Sequence, residues 1–171
     1  IATRAEAFGR RIVESESRHV DAIVSFAGRA FRRPLEPQEE ARLRALSDTL
    51  RAKGLNHQEA IRTLLVHVLV APEFLYKLET PGPDAEPRPV NDHELATRLS
   101  YFLWSSMPDA ELLALAQSGQ LHNPKVLTSQ ARRMLDSHAS RRLAEQFGTQ
   151  WLHVYGFSSL DEKSAELFPT F

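Results

Sequence analysis

From Leu99 to Trp104 the chain reads Leu-Ser-Tyr-Phe-Leu-Trp, with only Ser100 small and polar, so no face is left for water. A helix that is apolar nearly all round belongs in the middle of a bundle. The run Leu95–Asp109 is therefore expected to supply the central helix, with the other segments packed around it. Tyr101 and Trp104 each carry a polar atom that needs a partner once buried. Asn91 and Glu94, three residues apart at the entry, make a capping box, and Val90 can pack on Leu95 as a hydrophobic staple. The exit is the turn Ser105-Ser106-Met107-Pro108.

The segments before it also read as helices. Over residues 4–31, Phe8, Ile12, Val20, Val24, Ala27 and Phe31 fall on one stripe. Arg32-Arg33-Pro34 ends that helix, because a residue before proline is pushed out of the helical region. Pro37 suits the first turn of a second helix, with Leu43, Leu46 and Leu50 inward and Gly54 as its stop after Lys53. Asn56 and Glu59 make a capping box for a third, whose apolar face is Ile61, Leu64, Leu65, Val68 and Leu69. Pro72 interrupts it, and a short further turn covers residues 73–78.

Residues 80–90 form a Pro-rich connector: Thr80 to Pro89 holds four prolines and a glycine, which excludes regular structure and predicts an extended chain. It divides an N-terminal half, 1–79, from a C-terminal half, 91–171. Beyond the central helix, Pro108-Asp109 opens a helix with Leu112, Leu113 and Leu115 inward and Gly119 behind. Asn123-Pro124 opens another, leading to Val126, Leu127, Met134 and Leu135. After a break at 136–139, a last helix carries Leu143, Phe147, Trp151, Val154 and Tyr155 inward and ends at Gly156. The tail to Phe171 reads as irregular, with one turn around 164–167. No useful alternation of β-branched residues occurs. The fold class is all-α, a bundle of about seven helices in two halves. The halves are expected to share one core, since each has few helices and abundant apolar surface.

Composition narrows the chemistry. A net charge of −1 with acids and bases interleaved gives no footprint for nucleic acid. The longest apolar run, Leu64 to Ala71, is broken by His67 and is far short of the roughly 20 residues of a membrane span. The chain lacks cysteine, which excludes disulfides, thiol catalysis, thiolate metal sites and covalent c-type haem attachment within these residues. No signal peptide is visible, and Ile1 already leads into a helical pattern, as if excised from something longer.

Phe26-Ala-Gly-Arg-Ala-Phe-Arg-Arg-Pro-Leu35 together with Val70-Ala-Pro-Glu-Phe-Leu-Tyr76 resembles one bacterial domain of unknown function. Glu94 to Asp109, with Arg133-Met-Leu135 and Gln150-Trp-Leu152, resembles a second that usually follows it. Such pairs occur in large exported bacterial proteins that often carry c-type cytochrome modules. The resemblance implies an extracytoplasmic protein, periplasmic or at the cell surface. It also implies haem, if any, on neighbouring modules and none within this chain. The partners it implies are neighbouring domains of the same polypeptide or a redox protein. It brings no catalytic residues to map.

Each candidate residue has a structural reading beside a functional one. Asp92, His93 and Glu94 could form an acid/base group, but acids at a helix start also complement its dipole. Arg98 lies four residues after Glu94, which suits a surface ion pair, or alternatively recognition of a carboxylate. Arg29, Arg32 and Arg33 near a helix end favour its dipole, and are the candidates for docking an acidic partner. Trp104 and Trp151 are first of all core, and otherwise the lining of a ligand pocket. The seven histidines make no metal-binding spacing; His67 and His153 are candidate haem contacts only if they reach an open cavity. The leading reading is a non-catalytic interaction or scaffold module of a larger exported protein. The competing one is an oxidoreductase or hydrolase part, with a pocket between the central and last helices around Asp92, His93, Arg98, Tyr101 and Trp151.

Overall fold

The computed structural model describes residues 2–80 and 88–154, with side chains from Ser15 onward. Among the described residues every regular element is helical: α1 Ala2–Ala30, α2 Pro37–Ala52, α3 His57–Leu69, α4 Pro72–Leu75, α5 Asp92–Trp104, α6 Ala110–Gln117, α7 Pro124–Asp136 and α8 Arg141–Trp151. A single 3-10 turn, His138–Ser140, leads into α8.

The starts are where local chemistry puts them. The Asn56 side chain accepts the Glu59 N–H at 3.0 Å while Glu59 accepts the Asn56 N–H at 2.9 Å. Asn91 and Glu94 repeat that exchange at 2.9 and 2.7 Å. Asp109 caps α6 through the Leu112 N–H, and Asn123 caps α7 through the Lys125 N–H. These bonds satisfy N–H groups that a helix start leaves without partners.

The stops divide into two kinds. Gly54 and Gly119 take left-handed φ of 90° and 68°, the glycine solution to a helix C-terminus. After α1, α5 and α8 that conformation falls instead to Arg32, Ser105 and His153, at φ of 60°, 51° and 54°. A side chain there costs about 1 kcal/mol or more.

The chain divides into two compact units, Ile1–Glu94 and Leu95–Phe171. In the first, α1 and α2 both pack on α3, around Ile23, Ala27, Leu43, Leu64 and Val68. In the second, Ala96, Leu103 and Trp104 of α5 gather with Leu112, Ala116, Leu121 and Met134. Among the described residues each unit has its own cluster of buried apolar side chains.

Two expectations about individual helices are corrected. Helix α5 is not buried all round: Ala96, Ser100 and Leu103 are buried, whereas Arg98 and Phe102 are exposed. Helix α8 ends at Trp151, and its apolar residues Phe147 and Trp151 are exposed rather than inward. Tyr155, Gly156 and the turn expected at 164–167 lie outside the described residues. Residues 81–87 of the Pro-rich connector also lie outside the described residues; on either side of them, the Glu94 carboxylate accepts the Thr80 N–H and the Arg88 guanidinium, both at 2.8 Å. That clasp also explains why the first turn of α5 belongs with the first unit.

Candidate functional site

Arg32 is 6% exposed, although it belongs to a run of arginines expected at the surface. Its left-handed backbone turns the side chain back over the end of α1. There the guanidinium donates to the carbonyls of Glu73 at 2.6 Å, Tyr76 at 2.7 Å, Ala30 at 3.2 Å and Phe74 at 3.4 Å. Helix α4 is four residues long and leaves carbonyls at its C-terminus that no further turn can use. A planar fork of donors suits several carbonyls at once. Arg32 thus ties the stretch Phe26–Leu35 to the stretch Val70–Tyr76 through four N–H bonds made inside the unit. Arg33 pairs bidentately with Glu39 at 2.8 Å. This bond raises the Arg33 pKa and, against the opposing effect of burial, lowers that of Glu39. Arg29 remains exposed.

The second unit has a comparable knot. Trp104 is 7% exposed and donates its indole N–H to the Met134 carbonyl at 2.8 Å. Arg133 lies over the Trp104 ring, 5.7 Å from its centroid, within cation–π range. The same guanidinium grips Asp109 at 2.7 and 3.1 Å and the Gln130 side chain at 2.8 Å; Gln130 in turn donates to Glu111. Burial alone would raise the Asp109 pKa, but Arg133 and the Leu112 N–H hold it below its ordinary value. The pieces Trp104, Asp109 and Arg133-Met134 of the second familiar stretch therefore meet at one point.

The acid/base candidates take other positions. His93 is half-buried, and burial, partly opposed by Asp92 and reinforced by Arg33, lowers its pKa, which favours the neutral ring. Burial likewise opposes ionisation of Glu94, yet two backbone N–H groups and Arg88 bring its pKa down. Arg98 stands five residues after His93 on α5, about 140° away around the axis. Tyr101 is half-buried. Trp151 is 71% exposed and lies parallel to Phe147, ring centroids 6.3 Å apart. His153 is exposed, and His67 borders a cleft of about 130 Å³ with Phe31, Arg42 and Leu43. Among the described residues no group of three or more His, Cys, Asp or Glu is placed to hold a metal ion.

An open cleft of about 600 Å³ does lie between the end of α5 and the start of α8. Trp104, Met107 and Ala139 give its apolar lining; Ser106, His138, Arg141, Arg142 and Glu145 give the polar one. Of these, only Trp104 stood out in the sequence. His138 and Arg142 sit across a break from the last apolar periodicity, and nothing local marks them. Their approach to Trp104 spans more than thirty residues of chain.

The comparisons with known proteins match two domain families in succession. Residues 20–79 match PSD5, described as a protein of unknown function (DUF1595), and residues 90–171 match PSD4, described as a protein of unknown function (DUF1592). No curated protein matches, and no solved structure matches. The resemblance read from Phe26–Leu35 and Glu94–Asp109 thus falls within these two matches, and the knots at Arg32 and Arg133 lie one in each. The chain is a tandem of these two domain families, whose function is unknown.

Proposed function

We propose that the tandem is a non-catalytic helical interaction module of a larger exported protein linked to c-type cytochrome modules, and that it holds neighbouring domains or a redox partner. One observation carries this reading. Four arginines in or beside the familiar stretches are committed to internal architecture: Arg32 on carbonyls, Arg33 on Glu39, Arg88 on Glu94 and Arg133 on Asp109. A catalytic centre would hold such groups around a reacting point instead. Unit one also presents Val66, Val70, Leu75, Tyr76 and Leu78 to solvent, each more than half exposed, along α3, α4 and the segment after it. Exposed apolar groups in such a run suit a protein contact. No helix among the described residues is long and apolar enough to cross a membrane.

The test is co-elution of the purified tandem with the separately produced remaining modules of its natural full-length protein. The expected result is a complex whose visible haem band comes entirely from the partner, weakened by V70E and L75E together. A Soret band or stoichiometric metal in the tandem alone, or no complex with any module, would overturn the reading.

A further inference from the structure

We propose that the cleft between Trp104 and Arg142 binds a small organic anion, an apolar body carrying one carboxylate. The inference is independent of the module reading. It rests on the mixture of groups that the cleft brings together within the second unit. Its volume, about 600 Å³, is that of a small-molecule site. Trp104, Met107 and Ala139 offer an indole edge, a thioether and a methyl to an apolar body.

The polar side is unevenly balanced. Arg141 pairs with Glu145 at 3.1 Å, so those two charges offset each other. Arg142 leans on the Trp104 carbonyl at 3.5 Å, and among the described residues neither it nor His138 has a carboxylate partner. A guanidinium with one long contact to a carbonyl keeps its other N–H groups for a carboxylate, and His138 and Ser106 add donors on the same rim. The indole is held by Met134 and covered by Arg133, so the apolar wall is already in place before any ligand arrives.

The test uses 3-phenylpropanoate and its uncharged amide, followed by NMR at the two tryptophan indole N–H signals, assigned with W151F. The expected result is a saturable shift of the Trp104 signal with the acid and none with the amide at the same concentration. Arg142→Gln should weaken binding roughly tenfold or more, the worth of one charge-assisted pair, with the remaining spectrum unchanged. His138→Asn should weaken it less, and serves as the second variant should R142Q not fold. Equal binding of acid and amide, an unaltered affinity in both variants, or no saturable shift of Trp104 would overturn the proposal. A Gly-Gly-Phe peptide with a free C-terminus, set against its amidated form, separates two sources of the same chemistry. Tighter binding than 3-phenylpropanoate points to a protein C-terminus, and equal or weaker binding to a free acid.

Discussion

Both units are fastened by an arginine, yet the two fastenings obey different physics. Arg32 is buried and spends its donors on neutral carbonyls. Arg133 is about one-third exposed and meets the carboxylate of Asp109 and the face of Trp104. The first arrangement depends on the shape of the backbone that presents those oxygens. The second depends on charge, and on a helix cap that exists whether or not the arginine is present. A buried donor set that loses its partner costs far more than an exposed ion pair that loses one.

The largest expected effect follows directly. Arg32→Ala should leave several carbonyls at the end of α4 unsatisfied and destabilise the first unit by about 3 kcal/mol, read by denaturant unfolding. Arg32→Lys should recover less than half of that, because an ammonium cannot span the fork; full recovery would reduce Arg32 to a simple positive charge. Asp109→Ala should cost the second unit about 1–2 kcal/mol, mostly from the lost cap, since the pair with Arg133 is partly solvent-screened. Asp109→Asn keeps an N-cap and should cost less than half as much.

Acid sharpens the contrast further. The Asp109 pKa is lowered in the folded state, so its contribution is present above the ordinary aspartate value of about 3.9 and is lost as pH falls through the lowered one. Glu39 and Glu94 behave in the same way in the first unit, so acid alone does not separate the units. The decisive measurement is the pH dependence of each variant's loss. That of D109N should shrink toward zero at low pH, whereas that of R32A should stay constant, since carbonyls do not titrate. The smallest effect is expected at Ser105, which shares the left-handed conformation of Arg32 without an equivalent buried anchor. Ser105→Gly should be neutral or stabilising by a few tenths of a kcal/mol, while Arg32→Gly should still lose most of what Arg32→Ala loses, less only the left-handed strain that alanine keeps.

What could be read in advance was whatever lies within a few residues along the chain. Asn56 with Glu59, Asn91 with Glu94, Asn123-Pro124 and the glycine stops announce their helices by local bonding. The partners of Arg32 on α4 and just after it lie 41–44 residues away and the Asp109 partner of Arg133 lies 24 away, distances over which sequence spacing carries no geometry. By sequence alone Arg32 is indistinguishable from Arg29 and Arg33. Phe147 and Trp151 mislead in the opposite sense. Their spacing predicts an inward face, but among the described residues nothing covers them enough to bury them. The cleft has no local signature, because His138 and Arg142 fall in and just beyond a break in the apolar pattern.

Arg32 also has a consequence for how two helix ends of the first unit hold together. Four residues cannot hold a helix by themselves, so α4 depends on its packing against α3 and on the guanidinium at its carbonyls. The guanidinium in turn is aimed only once α1 has ended in its left-handed residue. The stop of one helix and the closing of another are then coupled in the folded unit, and Arg32→Ala should loosen both. The amides of Leu75 and Tyr76, bonded to Ala71 and Pro72, should exchange with solvent at the rate at which Arg32 lets go. Slower exchange there than at the end of α1 would show that the two are not coupled.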